Sequence, residues 1–127
     1  MNYLLLGAGI ISLSAVAGHF AMGGKEYLKP IMNSNAGPIP RYVMKSLFHY
    51  LSVFQVLATL LLFLAAIDFN CRLFELNSVA RLLGVMYVGF GISQIVVAAN
   101  SSVKGGVFKM FQWIFWLLIG VLAILGS

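Results

Sequence analysis

The sequence contains very little charge and almost no acidic residues. Only 9 % of its 127 residues are charged, and three of them are Asp or Glu, whereas soluble domains carry about 25 % charged residues. The composition is 61 % hydrophobic, with a mean hydropathy of +1.00. These values exclude an ordinary soluble domain and predict a polytopic membrane protein.

The sequence also lacks the residues and motifs of common catalytic sites. Its single cysteine, Cys71, excludes an intramolecular disulfide and cannot form a metal site by itself. It has no CxxC motif, no phosphate-binding glycine loop and no paired nucleophile and base. We therefore expect a protein without catalysis of its own.

The hydropathy pattern predicts one all-α domain over residues 1–127, a bundle of four transmembrane helices with short loops. Each apolar segment is about as long as the 20 residues that a helix needs to cross a bilayer. The predicted spans are residues 3–22, 42–67, 78–99 and 107–125. Gly23 and Gly24 are predicted to end the first helix, because glycine is the usual C-terminal signal.

The positive charge is concentrated at the ends of these segments. Arg72 and Arg81 lie on one predicted side, and the other six basic residues lie on the opposite side, namely Lys25, Lys29, Arg41, Lys45, Lys104 and Lys109. The positive-inside rule places those six in the cytoplasm and both termini outside. Contact with anionic lipid headgroups explains the net charge of +5, so no nucleic-acid partner is expected.

A polar stripe runs along the second span. His49, Ser52, Gln55 and Thr59 recur at roughly helical spacing among Leu, Phe and Val. An unpaired polar group in hydrocarbon costs several kcal/mol. We therefore expect this stripe to face the bundle interior.

Each predicted span contributes one polar residue at a similar depth. His19, His49, Gln94 and Gln112 fall roughly 6 to 10 Å inside the cytoplasmic boundary at 1.5 Å per residue. Gln55 extends this layer inward. The sequence predicts a buried His/Gln site in the cytoplasmic third of the bundle.

Several interpretations of this site remain open. Two histidines from neighbouring helices are able to ligate a haem iron, and imidazoles with carboxamides are able to hydrogen-bond a quinone head. His19, Glu26 and His49 together have the ligand types of a metal site, which a small transporter or metal-handling protein would use. Alternatively, the polar residues bond only to one another and set the helix register.

A resemblance rests on the Gly18-His19 pair with Gly23 and Glu26, on Lys29-Pro30, and on Arg41 followed eight residues later by His49. These residues resemble a group of uncharacterised, small bacterial four-helix inner-membrane proteins. The resemblance implies the same location and supplies no activity. The chain is also similar in size to the small multidrug resistance transporters, but its first helix lacks their embedded Glu.

Our leading interpretation is an accessory or assembly subunit of a larger membrane complex, or a small homo-oligomer. The short loops and the aromatic residues of the fourth span favour packing against other membrane subunits or a second copy. A haem- or quinone-binding electron-transfer module that uses His19 and His49 is the alternative.

Overall fold

The computed structural model describes all residues from Met1 to Ser127. It contains helices and no strands, so the all-α prediction is confirmed. The main helices are α1 (Tyr3–Met32), α2 (Pro38–Ala66), α3 (Leu76–Ala99) and α4 (Trp113–Gly126). A single helical turn, Gly106–Lys109, precedes α4.

Three helices are long and apolar enough to cross a membrane, namely α1, α2 and α3. Helix α4 is apolar but has 14 residues. At 1.5 Å per residue it is about 21 Å long, against about 30 Å for the hydrocarbon core of a bilayer. The membrane prediction is thus supported by three helices, and the fourth is shorter than a full span.

Helix α4 is short because the backbone before it takes non-helical φ and ψ angles. Met110 has φ −100° and ψ 61°, which interrupts the chain after the turn Gly106–Lys109. The helix therefore begins at Trp113 and not at Val107, the predicted start.

The prediction that helix α1 ends at Gly23 and Gly24 is wrong. The helix continues to Met32. Neither Gly23 nor Gly24 has a positive φ, so no left-handed cap forms there. Residues His19–Leu28 instead form a π-helix, in which the Lys29 N–H bonds to the carbonyl oxygen of Gly24, five residues back. π-Helical segments are rare and often lie at functional sites.

The helices run antiparallel, with both chain termini at one end, here called the termini end. There the N-terminal amino group lies 3.3 Å from the Asp68 carboxylate, and Asn2 Nδ2 donates to the Gly126 carbonyl at 2.5 Å. The opposite end, here called the basic end, holds the six basic residues Lys25, Lys29, Arg41, Lys45, Lys104 and Lys109. Helix α1 packs against α2 and α4, and α3 packs mainly against α4.

The tightest packing lies between α3 and α4. A Cβ added to Gly84 would lie 2.9 Å from the Gly120 carbonyl oxygen, and one added to Gly120 would lie 2.8 Å from that of Gly84. Half of the twelve buried residues of the hydrophobic core are alanines, namely Ala8, Ala58, Ala65, Ala66, Ala80 and Ala123. Small residues let helix backbones approach closely.

Candidate functional site

A cavity of about 300 Å³ opens between α1, α2 and α4 towards the basic end. It is mostly apolar, with a few polar side chains, which is the usual character of a small-molecule site. Its lining includes His19, Gly23 and Tyr27 from α1, Phe48 and Gln55 from α2, and Gln112, Phe115 and Trp116 from α4.

The π-helical part of α1 supplies one wall of this cavity. Ala15, His19, Gly23 and Tyr27 all line it, and they are spaced four residues apart. In an α-helix of 3.6 residues per turn, this spacing drifts by about 40° at each step. A π-helix bonds residue i to i+5 and takes more residues per turn. Four residues are slightly more than one α-helical turn and slightly less than one π-helical turn, so His19, Gly23 and Tyr27 stay on the cavity side.

The His19 ring is held by α2 on two sides. Its Nε2 lies 2.7 Å from the Ser52 hydroxyl oxygen. Its ring stacks on Phe48 with centroids 4.1 Å apart and planes 19° from parallel. Gly23 leaves room for this stack, because a Cβ there would lie 3.2 Å from the Phe48 ring.

Gln55 is the polar residue of the cavity that the protein leaves unsatisfied. Its side chain is 2 % exposed, and its Oε1 has no hydrogen-bond partner. The oxygen and nitrogen ends of a carboxamide have nearly the same shape, so turning the amide over would bury the unpaired nitrogen instead. Buried polar groups in native proteins are nearly always paired.

A chain of hydrogen bonds forms the opposite wall. Trp116 Nε1 donates to Gln94 Oε1 at 2.9 Å, and Gln94 Nε2 donates to Gln112 Oε1 at 2.8 Å. Gln112 Nε2 then donates to the Tyr27 hydroxyl oxygen at 2.8 Å. This chain links α3, α4 and α1.

A second polar cluster lies deeper in the bundle. The Ser12 hydroxyl is 2.6 Å from that of Thr59 and 3.2 Å from that of Tyr87. Thr59 also donates to the Gln55 carbonyl oxygen at 2.7 Å. These three buried side chains satisfy one another and line no part of the cavity.

The structure brings three of the predicted site residues to the cavity: His19, Gln55 and Gln112. Gln94 joins them through hydrogen bonds. His49 does not, because it lies six residues before Gln55, a rotation of about 120° around the helix. It is exposed, and Phe48 takes the inward position.

The predicted metal ligands are not assembled. Glu26 and His49 are both exposed, and neither lines the cavity that His19 lines. No three His, Cys, Asp or Glu side chains come together as a group that could hold a metal ion. The two histidines likewise do not meet across the cavity as a pair of haem ligands.

Sequence reasoning missed Tyr27 and Phe48. The signal for Phe48 was present, because seven residues before Gln55 is nearly two full α-helical turns. The signal for Tyr27 was its four-residue spacing from Gly23 and His19, which places the three residues on one face of a helix.

The basic residues predicted to meet lipid headgroups surround the basic end of the bundle. Five of them are exposed, and Arg41 is half-buried, with Nη1 donating to the Met32 carbonyl at 3.0 Å. Their contact with lipid stays a prediction.

Comparison of the chain with protein-family models, with curated proteins and with solved structures finds no match. The resemblance to small bacterial inner-membrane proteins therefore stays a prediction as well.

Proposed function

We propose that this chain is a non-catalytic membrane protein that binds a small amphipathic molecule in the cavity between α1, α2 and α4. The observation that carries the proposal is the Gln55 side chain, which is buried against the cavity with its Oε1 unpaired. Leaving such an atom unpaired costs about 1–3 kcal/mol. A bound ligand that hydrogen-bonds the Gln55 carboxamide would offset this cost.

The comparison with the other buried polar residues supports a ligand over a purely structural role. Ser12, Thr59 and Tyr87 satisfy one another, and Gln94 is bonded to Gln112 and Trp116. These residues fit the interpretation in which polar contacts set helix register. Gln55 does not, because no protein group satisfies its Oε1.

We also propose that the protein lies in the inner membrane of a bacterium, with its termini outside, and works as an accessory subunit or a small homo-oligomer. The six basic residues at one end of the bundle support this orientation. The short helix α4 and the exposed Phe108 support a partner, since Phe108 is 82 % exposed just before α4. Purification from native membranes in mild detergent tests this point, and a lone monomer would contradict it.

The binding proposal is tested by blocking the cavity. Gly18 lines the cavity, and a Cβ added there meets nothing within 4 Å. Gly18→Leu therefore places a side chain in the cavity without a backbone clash. Gly89→Leu is the matched control, because Gly89 is exposed on α3 and equally free of neighbours.

Native mass spectrometry of the purified proteins supplies the measurement. We expect a small lipophilic molecule to be released by the wild-type protein and by Gly89→Leu, and to be missing from Gly18→Leu. Equal amounts in all three proteins, or none in the wild type, would overturn the proposal.

A further inference from the structure

Helices α1 and α4 separate as they run from the termini end to the basic end. Near the termini end they are in contact, because a Cβ added to Gly126 would lie 3.0 Å from Leu4 Cβ. A Cβ added to Gly7 would likewise lie 3.7 Å from Leu122 Cδ1. Gly18 lies on the same face of α1 as Gly7, about three turns later, and a Cβ there meets nothing within 4 Å. The cavity therefore occupies the gap between the two helices.

The outer side of this gap is open. Ser14 and Met22 of α1 and Phe111, just before α4, line the cavity and are exposed. The Ser14 hydroxyl donates to the Ile10 carbonyl at 3.1 Å, so it has no hydrogen left for a ligand. The gap bordered by Ser14, Met22 and Phe111 is here called the lateral opening, and its border is effectively apolar.

The depth of these residues places the lateral opening in the hydrocarbon of a bilayer. Ser14 lies eleven residues after Tyr3, the first residue of α1, which is about 16 Å along the helix. Trp116 lies ten residues before Gly126, the last residue of α4, which is about 15 Å. Both distances are half of the about 30 Å of a hydrocarbon core. Acyl chains therefore surround the opening.

The gap is bridged at the level of the headgroups. Tyr27 lies 24 residues after Tyr3, roughly 35 Å along α1 and past the hydrocarbon core. Its hydroxyl oxygen accepts a hydrogen bond from Gln112 Nε2 at 2.8 Å, which links α1 to the residue before α4. No hydrogen bond joins the two helices across the lateral opening. The cavity is thus more open to lipid than to water.

We propose that the ligand is a lipid that enters from the bilayer through the lateral opening, and that its apolar chain passes between α1 and α4. Walls without contacting atoms lose dispersion energy, which a chain in the gap restores. A cavity of about 300 Å³ lies at the small end of the range for ligand sites. It holds part of a lipid while the rest stays in the bilayer. This inference rests on the proposed function and adds the class of the ligand and its route.

The inference is tested through the fluorescence of Trp116, which lines the cavity. Its ring stacks inside the bundle on the fully buried Tyr87, with centroids 5.8 Å apart and planes 25° from parallel. Trp113→Phe leaves Trp116 as the single tryptophan. The protein is reconstituted into phosphatidylcholine vesicles in which half of the lipids carry acyl chains dibrominated near mid-chain. Bromine quenches tryptophan only at short range, so quenching reports chains that approach the ring.

We expect brominated chains to quench Trp116 at least twofold more strongly in the Trp113→Phe protein than after Gly18→Leu is added. Ser14→Phe, which narrows the opening at its border, should reduce the quenching in the same direction. Gly89→Leu, on the exposed side of α3, should leave it unchanged. Acrylamide added to the water should quench Trp116 equally with and without Gly18→Leu.

Equal quenching by brominated chains with and without the two blocking substitutions would overturn the lateral route. Acrylamide quenching that Gly18→Leu relieves would also overturn it, because the cavity would then open to water. In both cases a molecule released by the wild type and missing from Gly18→Leu would leave the proposed function standing. If brominated chains reach Trp116 but the wild type releases no molecule, the proposed function falls and the lateral route stands.

Discussion

The two ends of the bundle are packed in opposite ways, although the same helices run through both. Near the termini end, glycines and alanines bring α3 and α4 so close that Gly84 and Gly120 have no room for a Cβ. Towards the basic end, Phe48, Phe115 and Trp116 surround a cavity of about 300 Å³. Small inward side chains accompany the close contact of α3 with α4, and large aromatic side chains accompany the cavity between α1, α2 and α4.

The largest expected change in stability is near the termini end, where α3 and α4 are in close contact. Gly84→Ala would place its Cβ 2.7 Å from Ile124 Cγ1 and 2.9 Å from the Gly120 carbonyl oxygen. Overpacking of this kind costs about 1–3 kcal/mol, so the free energy of unfolding in mixed micelles should fall by that amount.

Gly89→Ala is the control on the same helix, because a Cβ there meets nothing within 4 Å. It should raise stability by about 0.4–1 kcal/mol, since alanine restricts the unfolded chain more than glycine does. Equal effects from the two substitutions would show that the contact between α3 and α4 is not close.

At the basic end, around the cavity, a substitution is expected to raise the free energy of unfolding instead of lowering it. Gln55→Leu removes an unpaired buried polar group and keeps a similar volume, so the ligand-free protein should gain about 1 kcal/mol in stability. A destabilised Gln55→Leu protein in thermal unfolding would indicate that Gln55 is paired within the bundle.

A smaller loss of stability is expected for a substitution in the buried polar cluster that lies between the two ends. Thr59→Val keeps the side-chain shape but removes the hydroxyl that contacts Ser12 and donates to the Gln55 carbonyl. Interhelical hydrogen bonds in membranes contribute about 0.6 kcal/mol each, and the unfolding free energy should decrease by about that amount. The molecule expected to be released by the wild type should also be released by Thr59→Val, which separates this polar cluster from the cavity.

The smallest effect concerns an exposed helix cap at the termini end. Hydrogen bonds from the Ser78 side chain and from the backbone N–H groups of Ser78 and Asn77 hold the pKa of Glu75 below its usual value. A lowered carboxyl pKa adds stability that is fully present above the usual value near 4.5. That contribution is lost as the pH falls through the lowered pKa.

Melting temperatures of the wild type and Glu75→Gln, measured from pH 7 down to pH 3, test this cap. The difference between the two proteins should shrink at the acidic end of the range. A constant difference would show that the carboxylate charge does not contribute to the cap.

The sequence predicts the helices well because hydropathy is averaged over many residues. It also predicts the inward direction of Ser52, Gln55 and Thr59, which the structure confirms as buried. It places His49 wrongly on the same face, because steps of three residues drift by about 60° each, and two steps carry His49 away from the interior.

The π-helix was beyond sequence reasoning. Gly23 and Gly24 form a standard stop signal, yet the helix continues through them to Met32. The unpaired Oε1 of Gln55 was equally hidden, because composition and spacing predict that a residue is buried but not whether a partner reaches it.

The π-helical stretch His19–Leu28 has a consequence for changes in chain length. Because its hydrogen bonds reach back five residues, removing one residue between Gly23 and Glu26 lets bonds of the ordinary α type close, and the helix survives the loss. In the α-helical part of α1, the same deletion would rotate every later side chain by about 100°. Single-residue deletions should therefore be tolerated for folding here, while Tyr27 turns away from the cavity and its bond to Gln112 breaks.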